Sequence, residues 1–383
     1  MFSKLSRKSL AKALTTKNQP IYVQFYITAR CNLTCQQCNI IYANADTREC
    51  TISEIEKIAD NLAELGVAIV LLTGGEPFIR RDIPEIIKAF ESRGIHVRMQ
   101  TNGLAKEEQI HAAVEAGGHD ISISLDSLRA KTQDKVNGDY EGTWAKAIEA
   151  IGMFTRFLPK EGSFGSLGCV LQRDNIDDVE QVIKFGTEIG WYTSLVPVHV
   201  THFAVPRGFR TFDQKQRFLP EEFEKTDKVI DMVHKMRNKG YLLYDSDQYL
   251  DDIKKFIRNG SMGWRDRNAG VCDSPNLYFA ILPNGKFAPC CDHRLPSDTY
   301  TYDRDFVQTF KSKQFRSNVH EVVSKCDGCM YGSYPEMTIA MRYFKATIQR
   351  MGNFLVSPPK KPWPLANRDI FNIAERIYNE NKI

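Results

Sequence analysis

The sequence predicts an α/β fold built on a parallel sheet, and three observations carry that prediction. Six apolar runs of strand length alternate with amphipathic runs of helical spacing between residues 21 and 200. The connections between them are short, as in repeated βα units. The clusters "CNLTCQQC", "GGEP", "TNG" and "SLDS" all fall at C-terminal strand ends, where parallel α/β sheets place their chemistry.

The elements follow in order. "YVQFYIT" reads as the first strand. "TISEIEKIADNLAELG" is a helix with Thr51 as N-cap and Gly66 as the stop. "VAIVLLTGG" is a buried strand and "IPEIIKAFESRG" a helix. "IHVRMQTNG", "KEEQIHAAVEAG" and "DISISLD" continue the alternation. "EGTWAKAIEAIGMF", "FGSLGCVLQ", "IDDVEQVIKFGTEIG" and "WYTSLVPVHV" complete it. Beyond residue 200 the periodicity fades. Residues 220–238 and 248–258 read as surface helices, and "NLYFAILPNGKFAPCC" as a β-hairpin turning at Asn284-Gly285. "LVSPPKKPWPLANR" is proline-rich and expected to be extended. The chain therefore divides into a basic segment at 1–20, a main α/β unit at 21–218, a helical connection at 219–271, a small cysteine-bearing α+β unit at 272–340 and a tail at 341–383.

The chain has 383 residues, 42% hydrophobic and 26% charged, enough for a sizeable core. A net charge of +4 gives no argument for nucleic acid. No apolar run reaches the roughly 20 residues that span a bilayer. The first 20 residues hold Lys4, Arg7, Lys8, Lys12 and Lys17 and no acid, but lack the apolar region of a signal peptide, so a cytoplasmic location is expected. Phe2, Leu5, Leu10 and Leu14 can form a narrow stripe on a basic helix. That is a solvated surface helix, or a weak contact with an anionic membrane surface.

Ten cysteines without a secretion signal, several at short spacings, read as metal or cluster ligands rather than disulfides. Cys31, Cys35 and Cys38 form C-x3-C-x2-C after the first strand. A closed zinc site wants four ligands, no histidine lies nearby, and nothing pairs Cys50 with the loop at short spacing. An iron–sulfur cluster accepts three thiolates and leaves one iron open to a small molecule.

With Gly74, Gly75, Glu76 and Pro77 ending the second strand, this loop resembles the radical S-adenosylmethionine (SAM) enzymes. The resemblance covers about residues 21–200 and implies a partial (β/α)6 barrel of TIM type. It implies a [4Fe–4S] cluster on Cys31, Cys35 and Cys38, with SAM bound to the open iron and its amino group met by the GGEP backbone. It further implies reductive cleavage to a 5′-deoxyadenosyl radical that abstracts a substrate hydrogen, and a flavodoxin- or ferredoxin-type electron donor. Ser124 and Asp126 match the segment that meets the SAM carboxylate or ribose. Thr101, Asn102 and Gly103 sit at the third strand end as in the family. Val196 and Pro197 fall where adenine packs. Gln37 and Asn137 depart from the family, which favours an aromatic or histidine and an arginine there.

A second set follows: Cys272, then Gly285 and Cys290 as G-x4-C, then Cys326 and Cys329. Four thiolates suit zinc on their own terms. The region also resembles the shorter "twitch" form of the SPASM extension, which implies one auxiliary [4Fe–4S] cluster. Cys291 can substitute for Cys290, though G-x4-C favours Cys290. Cys50 and Cys169 read as buried small hydrophobes.

A fully ligated second cluster suits removal of an electron from a substrate radical. The expected reaction is oxidation of a small molecule or natural product. The alternatives are a peptide maturase, a redox-neutral epimerase or rearrangement enzyme, and an iron–sulfur redox or scaffold protein. His199, His202, Arg207, Arg210 and Tyr334 are candidates for the group that takes the proton.

Overall fold

The computed structural model describes residues 13, 15–35, 37–38, 47–199, 215–259, 262–265, 271–355 and 361–380. The stripe of Phe2, Leu5, Leu10 and Leu14 lies outside them, as do His202, Arg207 and Arg210.

The first half alternates as its pattern predicts. The strands are β1 (Tyr22–Thr28), β2 (Ile69–Gly74), β3 (His96–Thr101), β4 (Asp120–Ser124), β5 (Phe164–Leu171) and β6 (Tyr192–Pro197). Between them run α1 (Ile52–Leu65), α2 (Ile83–Glu91), α3 (Glu107–Glu115), α4 (Ala130–Val136), α5 (Thr143–Phe157) and α6 (Val179–Glu188). Helix α1 begins and ends where its caps dictate. Thr51 Oγ1 accepts the Glu54 N–H while the Glu54 carboxylate accepts the Thr51 N–H, and Gly66 closes the helix at φ 82°.

All six strands are parallel, and the sheet order is β6-β5-β4-β3-β2-β1. Alternate residues (Phe25, Leu72, Met99, Ile123, Leu167 and Leu195 among them) join the core beneath the helices. Their neighbours face the other way. Gln24, Gln100, Ser122, Ser124, Gly168 and Val170 on central strands, and Ser194 and Val196 on the edge strand β6, are partly exposed, so this inner face lines an accessible lumen.

The N-terminal ends of the strands close the lumen floor. Tyr22 stacks on Tyr278 at 4.7 Å and Phe164 on Tyr192 at 5.2 Å. The Arg98 guanidinium sits 5.0 Å from the Phe164 and Tyr244 rings. It donates to Tyr244 Oη at 3.2 Å and to Ser166 Oγ at 2.8 Å.

The remaining elements are α7 (Phe223–Asn238), α8 (Asp247–Ile257), α9 (Ser274–Leu277), β7 (Tyr278–Ile281), β8 (Phe287–Ala288), α10 (Phe306–Lys311), α11 (Lys313–Ser324), α12 (Ser333–Arg342), α13 (Phe344–Leu355) and α14 (Asn367–Glu380). The hairpin turns at Asn284-Gly285 as expected, but it continues the main sheet. β7 pairs parallel with β1 and antiparallel with β8. Tyr278, Phe279, Ala280 and Ile281 are all buried, the mark of a strand covered on both faces. Among the described residues the sheet does not close from β8 back to β6, so the barrel is partial. Helix α12 stands across the opening: Tyr334 meets the Tyr278 ring at 4.6 Å, and Gly332 lies over Val196.

The proline-rich segment is free of helix and strand over 361–366, as expected, but the tail folds back on the main unit. Trp363 is buried, and α14 packs on α5 and α6 through Ile370, Ala374 and Ile377. The 4- and 3-residue steps of that apolar face are helical, a signal masked in the sequence by the prolines just before it.

Candidate active site

β1 delivers the first cysteine loop, and its exit is tied down on both sides. Ile27 falls at a register shift, and its carbonyl accepts from Arg80 Nη1 at 3.1 Å. Thr28 Oγ1 donates to Glu49 at 2.5 Å, and Glu49 pairs with Arg30. The Gly75 N–H donates to the Thr28 carbonyl and the Glu76 N–H to the Arg30 carbonyl, both at 2.8 Å. Glycine is required at this approach. A Cβ on Gly74 would stand 2.2 Å from the Thr28 oxygen, and one on Gly75 would stand 2.0 Å from the Arg30 oxygen.

The Glu76 side chain is buried. Its Oε1 accepts the Phe78 N–H at 3.0 Å and Thr101 Oγ1 at 2.8 Å, and its Oε2 accepts the Asn102 N–H at 2.8 Å. Burial pushes its pKa up to about 7. Pro77 is buried beside it. The expected GGEP and TNG segments are therefore one assembly.

That assembly reaches the cysteines. Asn102 Nδ2 donates to Asn32 Oδ1 at 2.8 Å and lies 3.9 Å from Cys31 Sγ. Cys31 Sγ also accepts the Leu33 N–H at 3.4 Å. Cys35 Sγ lies 3.7 Å from Asn137 Oδ1, so the residue that departs from the family arginine touches the loop directly. Burial raises the Cys31 thiol to about 11 and pushes Cys35 well up, and Cys38 adds to both shifts. The three thiols are thus close enough to interact electrostatically.

Gln37 Nε2 donates to Asp126 Oδ2 at 3.2 Å. Asp126 is buried, its other oxygen accepts the Val170 N–H at 2.6 Å, and burial raises its pKa to about 7. It braces β4, β5 and the cysteine loop together. Ser124 and Val196 face the lumen and remain partly exposed.

The second set converges likewise. Cys272, Cys326 and Cys329 are each raised by burial and by their neighbours in the set. Cys290 lies among them, and its pKa is lowered because Cys291 shares a hydrogen bond with it. Cys291 packs against Tyr26, Ala280, Leu282 and Ala288. Cys50 and Cys169 are buried core residues, as expected.

Of the proton-acceptor candidates, Tyr334 is buried, its hydroxyl makes no hydrogen bond of ordinary length, and Tyr26 and Cys291 are its polar neighbours. His199 is a backbone brace, and burial lowers its pKa to about 3. The sequence pattern does not point to Asp245 or Glu336. Ser194 Oγ and the Leu195 N–H donate to Asp245 at 2.7 and 2.6 Å. Burial, and then Glu336, raise Asp245 to about 7. The only sequence mark there is Ser246, which caps α8.

Comparison with known proteins agrees with this geometry. The model of the Radical SAM superfamily matches residues 25–186. The chain is 28% identical over 210 residues to the AdoMet-dependent heme synthase of Methanosarcina barkeri, covering 54% of this chain and 57% of that protein. It is 31% identical over 277 residues to the PqqA peptide cyclase of Ruegeria pomeroyi, covering 71% of this chain and 67% of that one. The fold matches SuiB of Streptococcus suis bound to S-adenosylmethionine with a TM-score of 0.61, at 16% identity, over 82% of this chain and 71% of that one. Among the described residues no helix is long and apolar enough to cross a membrane. The chain belongs to the radical SAM superfamily, whose members carry a [4Fe–4S] cluster and S-adenosylmethionine.

Proposed function

We propose that this chain cleaves SAM reductively and oxidises a peptide held in the barrel lumen, with an electron leaving through a second [4Fe–4S] cluster. The observation that carries this is the position of β1. Its Tyr26 packs against Cys291 of the second set, and five residues later the same strand delivers Cys31. β1 thus links the two cysteine groups.

The residues fit the two clusters. Buried thiols with raised pKa values become thiolates only beside a strong positive centre. Four sulfurs around one zinc lie at about 2.3 Å from the metal, hence about 4 Å apart. A cluster spreads its thiolates over separate irons and tolerates wider spacing. Cys31, Cys35 and Cys38 would hold the first cluster. Cys272, Cys290, Cys326 and Cys329 would hold the second.

Bound there, the first cluster and SAM would supply radical chemistry for hydrogen abstraction. The chain's own residues do the rest. The close-packed Gly74-Gly75 turn and Ser124 would hold the amino-acid part of SAM, and Val196 its adenine. The Arg98 floor closes one end of the lumen against water. Ser194, backed by Asp245, offers an oxygen to a leaving proton.

A peptide is favoured over a charged small molecule by the lumen lining. The described strand positions that face inward include Gln24, Leu71, Thr73, Gln100, Ser122, Ser124, Gly168, Val170, Ser194 and Val196, an uncharged and largely polar set that suits amide groups. A triphosphate or a polycarboxylate calls for several cations. The similarity to a PqqA peptide cyclase and the fold of SuiB, solved bound to the precursor peptide SuiA, support the same class.

Anaerobically reconstituted protein is expected to hold about eight irons per chain, four in each cluster. Replacing Cys31, Cys35 and Cys38 together with Ala should remove about half the iron and all 5′-deoxyadenosine formation. Retained SAM cleavage in that variant would refute the first site. Co-expression with short peptides encoded beside the gene tests the substrate class. Loss of two hydrogens from one of them is the expected product, and a small molecule oxidised in their place would refute the peptide reading.

A further inference from the structure

We propose that His199 is a positioning residue that locks the Cys326–Cys329 loop to the exit of β6, so that a ligand seated against Val196 is felt at the second cysteine group. The inference rests on the two-site reading above.

His199 follows β6 by two residues and is buried. Its Nδ1 lies 2.7 Å from the Pro197 carbonyl. A carbonyl only accepts, so Nδ1 carries the ring proton. Nε2 is then an acceptor, and it takes the Met330 N–H at 2.8 Å. The ring also lies flat on Tyr331, with centroids 3.6 Å apart, and 4.6 Å from Phe256.

Met330 follows Cys329 directly and is held from its other side as well. Tyr249 Oη donates to the Met330 carbonyl at 2.7 Å and accepts the Gly332 N–H at 3.2 Å. Gly332 then closes over β6, where an added Cβ would stand 3.5 Å from Val196 Cγ2. The backbone on one side of Cys329 is therefore fixed by one hydrogen bond from the β6 exit, two from Tyr249 of α8 and one contact on Val196. A shift of β6 on SAM binding has a direct path to the position of Cys329.

A merely space-filling histidine and a positioning one are separated by His199→Phe and His199→Gln. Phenylalanine keeps the ring and its stacking but leaves the Met330 N–H unpaired. Glutamine returns an acceptor oxygen. Two readouts are used on the reconstituted full chain: amide exchange over residues 326–332, and the EPR signal of the second cluster with and without SAM. In the wild type, SAM should slow exchange in the loop and perturb the second signal. In His199→Phe the loop should exchange roughly tenfold faster, with iron retained and the response to SAM lost. His199→Gln should restore both. Exchange and SAM response unchanged in His199→Phe would overturn the proposal. If the wild type holds iron at the first site alone, the two-site reading fails, yet the SAM-dependent exchange still decides the role of His199. If His199→Phe does not fold, Tyr249→Phe removes the opposite clamp and is read in the same way.

Discussion

The Glu76 carboxylate accepts the backbone N–H of Asn102 at 2.8 Å, and this bond joins the loop after β2 to the loop after β3. Burial raises Glu76 from 4.5 to about 7. Between those values the folded chain binds more protons than the unfolded one, so stability falls as pH rises from 4.5 toward 7. The full effect is of order 3 kcal/mol. In cofactor-free protein, Glu76→Gln should flatten the dependence of Tm on pH between 5 and 8. Parallel slopes for wild type and variant would show that another group sets the dependence.

Gly75→Ala should be far more damaging than a methyl group usually is. The added Cβ would meet backbone, 2.0 Å from the Arg30 oxygen, and backbone cannot swing aside as a side chain does. The turn must then open, and the Gly75 and Glu76 N–H bonds to the Thr28 and Arg30 carbonyls are lost with it. We expect a cost of at least about 2 kcal/mol and poor iron uptake at the first cysteine group. Normal iron content at that group, measured in a background lacking Cys326 and Cys329, would contradict the role given to the turn.

Cys290 and Cys291 are adjacent and share a hydrogen bond, but their surroundings differ. Cys290 is a neighbour of Cys272, Cys326 and Cys329. Cys291 packs on the apolar cluster of Tyr26 and Ala280. Cys290→Ser should lose the second group's iron, whereas Cys291→Ser should keep it. The reverse result would reassign the ligand.

The first half of the fold was legible because its signals are local. Thr51 with Glu54, and Gly66, mark both ends of α1, and period-2 and period-3.6 patterns alternate without interruption. The cysteine spacing and GGEP were legible for the same reason. Three features were not. Glu76 meets Asn102, His199 meets Met330, and Asp245 meets Ser194 across 26, 131 and 51 positions of chain, and no short-range pattern encodes such pairs. The parallel pairing of β7 with β1 was hidden because a tight Asn-Gly hairpin reads as a self-contained unit.

The tail offers the last prediction. Trp363 is buried, its ring stands edge-on to Trp191 at 6.3 Å, and its Nε1 donates to the Ile189 carbonyl at 2.7 Å. Lys361 Nζ sits 4.7 Å from the same ring. These contacts join the end of α6 and the start of β6 to the segment that leads into α14. Trp363→Ala leaves a large cavity and should cost about 3–5 kcal/mol. Trp363→Phe keeps most of the ring and should cost less, chiefly the bond to Ile189. Because Trp191 precedes β6, the loss should also loosen the strand that carries Ser194 and Val196. Denaturant unfolding of both variants measures the first effect, and amide exchange over residues 191–197 the second. Wild-type stability in Trp363→Ala would mean that the tail rests on the core without contributing to it.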